Sequence, residues 1–127
     1  MQIDYVSTPD APQAIGPYSQ GVKAHGFVYT SGQIALDPAT GNLVNGSFEE
    51  QVHRVLKNLE AILKAAGSDL GRVLKMTVYV SDMGDWGAVN ETYARVLGEH
   101  RPARAVVPAR ELHYGFLVEI EAVAAVG

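Results

Sequence analysis

The sequence predicts an α+β domain: a mixed β-sheet of about six strands with two helices packed on one face. Three observations predict it. Two stretches repeat apolar residues every three and four positions and end at a glycine, several shorter ones alternate apolar and polar residues, and turn residues separate them in the order β-β-β-α-β-α-β-β. With two helices set between strands, both can cover the same sheet face. The 127 residues read as a single domain, 1–127, long enough to bury roughly two thirds of the surface its unfolded chain exposes.

Residues Ile3 to Val6 can form a short edge strand, followed by the Pro-punctuated loop Ser7 to Pro12. Ile15-Gly16-Pro17-Tyr18 starts with a turn and runs on as an extended segment to Val22. His25-Gly26 then makes a hairpin connection to the strand Phe27 to Ile34. On that strand Phe27, Tyr29, Ser31 and Gln33 are expected to share a face, and Gly32 between them lets a neighbouring strand or a ligand approach the backbone closely.

Asp37 to Asn42 is rich in turn residues, and Asn45-Gly46 serves as a turn into Ser47-Phe48-Glu49-Glu50, a capping box that opens the first helix. Phe48, Val52, Val55, Leu59, Ile62 and Ala66 form its apolar stripe, and Gly67 stands at its C-terminal cap. His53 has no second ligand at helical spacing and reads as surface, not as a metal site. Val73 to Val80 alternates as a strand, with Leu74, Met76, Val78 and Val80 on the helix-covered face. Asp82 or Asp85 can cap a second helix whose Trp86, Val89, Tyr93 and Val96 or Leu97 follow helical spacing up to Gly98. For Asn90, polar among apolar neighbours in that helix, a tie to a loop and a direct substrate contact are both open.

Composition excludes several function classes. Net charge is −4 and the basic residues are dispersed, unlike the clustered cations of a nucleic-acid footprint. With no cysteine there is no disulfide, thiolate metal site, Fe–S cluster or Cys nucleophile. No basic-plus-apolar leader opens the sequence and no 18-residue apolar run crosses a membrane, so a cytoplasmic location is the expectation.

The end of the chain sets charge among residues that read as sheet. On the last strand Val118, Ile120 and Ala122 point one way, and Glu119, Glu121 and Val123 the other. Ionised groups at such positions must be paired, solvated or used. Two accounts are open: a half-solvated strand with acids facing water, or a cleft in which Arg104 grips an anionic substrate while a glutamate handles protons.

The segments Ala11 to Gly21, Thr30-Ser31-Gly32-Gln33-Ile34, Asn58-Leu59 with Ala66-Gly67, Val89 to Tyr93, Pro102-Ala103-Arg104 and Val118 to Ala122 together resemble the RidA (YjgF) family of enamine/imine deaminases. Each motif is short, but six in order across nearly the whole chain are specific. The resemblance implies a chorismate-mutase-like fold assembled as a homotrimer with clefts at the subunit interfaces. It implies hydrolysis of 2-aminoacrylate and related 2-enamines or 2-imines to a 2-keto acid and ammonia, without metal or cofactor. Arg104 matches the carboxylate-binding arginine, Glu119 the glutamate that positions or activates water, and Tyr18 the pocket tyrosine. Backbone groups near Ser31-Gly32 and after Arg104 would complete the cleft. A triad on Ser31 and a histidine lacks a nucleophile elbow and is set aside.

Two departures stand out. Val106 occupies the place of a common family cysteine, and Glu111 to Phe116 replaces a Leu-Pro segment, bringing His113 and Tyr114 to a connection beside the expected cleft or to a simple turn closed by Gly115. Alternative readings are a deaminase of a larger, aminomuconate-like enamine and a non-catalytic small-molecule-binding or regulatory trimer. A ribonuclease fits the acidic charge poorly.

Overall fold

A computed structural model describes residues 1–44, 46–82, 84 and 86–127. The turn expected at Asn45 and the capping role of Asp85 lie outside these residues. Six strands form one sheet in the order β1-β2-β3-β6-β4-β5, with β1 at Asp4–Val6, β2 at Gly21–Ala24, β3 at Phe27–Thr30, β4 at Val73–Val80, β5 at Ala103–Pro108 and β6 at Val118–Ala125. All pairings are antiparallel except that of β4 with β5. Their connection carries helix α2, Trp86–Leu97, because parallel neighbours need a crossover. Helix α1, Phe48–Ala65, links β3 to β4. The predicted α+β class, element order and two-helix cover are those of the structure.

Local chemistry accounts for the elements. His25 (φ 52°) and Gly26 (φ 82°) both take the left-handed conformation, which a two-residue hairpin of the twist-matching kind requires. In α1 the Ser47 hydroxyl accepts from the Glu50 N–H, and the Glu50 carboxylate accepts from the Ser47 N–H, completing the capping box. Val52, Val55, Leu56, Leu59, Ile62 and Leu63 are buried against Val28, Met76, Val78, Val118 and Ile120. Each contributes about 1.5 to 3 kcal/mol of burial, so α1 is held by packing more than by propensity.

Three expectations are corrected. Leu74 is 47% exposed, because the β4–β6 register shifts between Val73 and Lys75 and turns it off the helix-covered face. Gln33 does not share a face with Phe27 and Tyr29. Tyr29 pairs with Val123 but Gln33 bridges Ile120, so an extra residue is accommodated at Ser31–Gly32 and Gln33 turns into the core. Trp86 stands at the rim of α2 and is exposed rather than in its buried stripe.

The other sheet face carries Tyr5, Phe27 and Tyr29, all exposed, and the partly buried Tyr79 and Val123. No helix covers it among the described residues. Tyr79 donates to the Glu121 carboxylate at 2.8 Å, which sets these acids on the uncovered side.

Buried amides pin the loops to this frame. Asn58, fully buried, donates to the Ile34 and Leu36 carbonyls at 3.2 and 3.0 Å. Gln20 accepts from the Thr8 N–H and donates to the carbonyls of Thr8, Ala11 and Pro12. Gln51 accepts from the Leu117 N–H at 2.9 Å. Asn58→Ala strands two carbonyls and opens a gap. A loss of about 2 to 4 kcal/mol in urea unfolding is expected; a change below 1 kcal/mol would show that the loop does not depend on it.

Candidate active site

The two halves of the expected cleft fall on opposite faces of the sheet. Tyr79 is the β4 partner of Glu119, and both lie on the uncovered side. Met76, buried under the helices, is the β4 partner of Arg104, so the arginine projects toward α2. Its guanidinium donates to Asn90 Oδ1 at 2.7 Å and lies 5.0 and 5.5 Å from the ring centroids of Tyr93 and Trp86, a cation–π setting. Asn90 therefore holds an arginine on a neighbouring strand, not a loop. Within the chain Arg104 and Glu119 do not meet.

Glu119, Tyr18, Ser31 and Gly32 do meet. They line a cavity of about 470 Å³ together with Gln33 and His113. The acid comes from the rigid centre of the sheet, Ser31–Gly32 from the irregularity after β3, and Tyr18 from the loop that Gln20 ties down. Gly32 has a specific reason to be glycine. A β-carbon there would overlap Glu119 Oε2 and stand 3.0 Å from Cδ, so the carboxylate is the group that approaches the backbone. The Ser31 hydroxyl donates to the Ser19 carbonyl at 2.5 Å, which employs its proton in holding the loop.

Burial pushes the Glu119 carboxyl above the usual range, the Glu121 carboxylate on the same face pushes it further, and His113 acts in the opposite sense. The hydrogen bond to Glu121 is the largest cause raising Tyr79. Between the unfolded and folded values of Glu119 the native chain holds more protons than the unfolded one. Its stabilising contribution is thus fully present below the unfolded value and lost as pH rises through the folded value. Glu119→Gln is expected to flatten that acid-side slope in unfolding titrations at a series of pH values; an unchanged slope would refute the burial effect.

Sequence reasoning passed over Gln20, Gln51 and Asn58 as builders of the site. Their one signal is an amide set directly before an apolar or glycine position, Gly21, Val52 and Leu59. His113 and Tyr114 do border the cavity, on a short 3-10 turn at His113–Gly115 in which Tyr114 has φ 57°. No group of three or more His, Cys, Asp or Glu side chains suited to a metal ion occurs among the described residues. No helix there is long and apolar enough to cross a membrane.

Comparison with known proteins places this geometry. A family model described as Endoribonuclease L-PSP matches residues 8–126. A mouse protein named 2-iminobutanoate/2-iminopropanoate deaminase is 49% identical over 122 residues, covering 96% of this chain and 90% of its own. A solved structure from Thermotoga maritima superposes with TM-score 0.95 at 47% identity, covering 100% of this chain and 99% of that one. Escherichia coli TdcF, solved with bound serine, gives 0.92 at 38% identity, covering 98% and 99%. Matched over nearly its whole length by the family model and by close relatives, the chain belongs to the Endoribonuclease L-PSP (RidA/RutC) family.

Proposed function

We propose that the protein hydrolyses 2-enamines and 2-imines of amino acids to 2-keto acids and ammonia, in clefts between the protomers of a homotrimer. The observation that carries this reading is the Glu119 carboxylate, half-buried, raised toward neutrality and held over Gly32 in a cavity large enough for a small organic acid. A carboxyl poised in this way can accept a proton from water and return it. The names of the mammalian relatives and the serine bound by TdcF agree with a carboxylate-bearing substrate.

The chemistry follows from the groups. 2-Aminoacrylate takes up a proton at its terminal carbon and becomes 2-iminopropanoate. Water oxygen adds to C2 while Glu119 accepts the water proton, giving a tetrahedral carbinolamine. Glu119 returns that proton to nitrogen, the C2–N bond breaks as the carbinolamine hydroxyl gives its proton to the freed carboxylate, and ammonia leaves as the keto acid forms; this last proton balances the one taken up at the terminal carbon. Tyr18 at the mouth holds the amino group or the water. Arg104 presents a planar fork to the substrate carboxylate. Because it lies on the other sheet face from its own Glu119, the arginine that completes a cleft belongs to a neighbouring protomer. The uncovered aromatic face, Tyr5, Phe27 and Tyr29, is the surface such an assembly buries. A ribonuclease reading finds little support in a chain of net charge −4 whose basic residues are dispersed.

The test couples a pyridoxal-phosphate serine dehydratase to a keto-acid readout and asks whether catalytic amounts of this protein speed 2-aminoacrylate decay beyond its rate in water. Acceleration supports the reading. None, with keto acids still bound by a folded trimer, overturns it in favour of a binding module. If Glu119 must be ionised to start, the acid limb of kcat/KM lies above the ordinary glutamate range. Glu121→Gln then moves the limb to lower pH, since Glu121 raises Glu119; a limb that stays in place separates the limb from this carboxyl.

A further inference from the structure

The cavity around Glu119 does not end at the reacting groups. It adjoins a second hollow of about 330 Å³, and the two share Pro12, Gln13, Ile15, Leu36 and Tyr114 as a common wall. Beyond that wall the second hollow is lined by Pro38 and Leu43, with Asp37 the only charged group among its described lining residues. Tyr114 is built into this wall at a cost. Its left-handed backbone is unfavourable for a residue with a β-carbon, and such strain persists where the surroundings over-determine it. The ring neighbours the tilted His113 ring at 3.8 Å between centroids and the edge-on Phe116 at 6.2 Å. Even so, Tyr114 is 53% exposed and Ile15 is 77% exposed, an apolar pair left open beside the acid.

We propose that this annex receives the substrate's side chain, so that the protein prefers 2-enamines and 2-imines bearing an extended apolar or aromatic chain, with Tyr114 as the selecting residue. The inference rests on the deaminase reading and names its substrate class. The reacting carbon sits at Glu119, and the side chain runs from it past Tyr114 toward Leu36 and Leu43. A three-carbon imine fills none of the annex and gains nothing from it. A chain ending in a second carboxylate, as an aminomuconate-like enamine would, meets Asp37 and no Lys or Arg among the described lining residues. Apolar chains gain by burial, and like charge rejects the dicarboxylate.

The test uses the intact protein. An amino-acid oxidase with catalase releases the imines of alanine, leucine and phenylalanine, and the imine remaining is trapped with semicarbazide. The expected kcat/KM for the leucine and phenylalanine imines exceeds that for the alanine imine by about tenfold or more, the scale of one or more methylenes in an apolar pocket. Tyr114→Gly, which suits the left-handed backbone and so keeps the turn, is expected to lower that ratio about fivefold or more. Calorimetry with 4-methyl-2-oxopentanoate, pyruvate and 2-oxoglutarate reads the same preference without catalysis, the first binding tightest. Imines hydrolysed with no preference, or a ratio untouched by Tyr114→Gly, overturn the annex and leave the deaminase reading standing. Long-chain keto acids bound in a Tyr114-dependent way, with no imine hydrolysed, keep the annex and overturn the deaminase reading.

Discussion

Arg104→Ala is expected to lower kcat/KM for 2-aminoacrylate hydrolysis by roughly 10²- to 10⁴-fold with the fold intact. Two parallel charge-assisted hydrogen bonds of about 1.5 to 3 kcal/mol each amount to roughly 3 to 6 kcal/mol, and each 1.36 kcal/mol is about tenfold. The structural cost is smaller. Arg104 lies on the edge strand β5, and its partners within the chain are Asn90 and the rings of Tyr93 and Trp86. Losing these costs about 1 to 2 kcal/mol, a melting-point change of several degrees. Arg104→Lys keeps the charge and loses the fork, so it should fall between wild type and alanine. Activity within threefold of wild type in Arg104→Ala would remove the carboxylate clamp from the mechanism.

Glu119→Gln alone should lower kcat by roughly 10²- to 10⁴-fold, yet mixed with Arg104→Ala it should recover activity. If each cleft draws Arg104 from one protomer and Glu119 from the next, randomly mixed trimers carry both intact residues in about one cleft of four. Co-refolding equal amounts of the two inactive variants, with mass spectrometry to confirm mixed assemblies, is expected to give about a quarter of wild-type turnover. Mixed trimers without recovery would mean that the two residues do not share an inter-subunit cleft. Recovery could not come from a site contained in one protomer, because every protomer in the mixture lacks one of the two groups.

Helix α1 was legible because its signals agree: a capping box, a six-residue apolar stripe and a terminal glycine all mark one segment. The alternation of Glu119 and Glu121 with Ile120 and Ala122 on β6 was legible for a similar reason, since a central strand covered on one side must alternate. The face of Arg104 was not. On edge strand β5 every residue from Arg104 to Val107 is partly buried, so the strand's own pattern is flat and its orientation follows from pairing with Met76. The extra residue at Ser31–Gly32 escaped for the opposite reason. Alternation presumes an unbroken ladder, and the break is fixed by the Gln33–Ile120 bridge far along the chain. Tyr114 was visible as a departure, but that it lies between two cavities depends on a left-handed turn that Gly115, rather than tyrosine, would have suggested.

The overlap of a β-carbon at position 32 with the Glu119 carboxylate makes these two sites one shared volume written in two parts of the gene. In a lineage that keeps the acid in this pose, a β-carbon at position 32 would have to displace the carboxylate end of the glutamate. Once the acid is gone, the space is free and a side chain can settle there without disturbing sheet or core. A relative with an ordinary residue at the equivalent of Gly32 is therefore expected either to lack the glutamate or to hold its carboxylate turned away from that backbone. That single position would sort members of the family by whether they can hold the acid in this pose, before any of them is assayed.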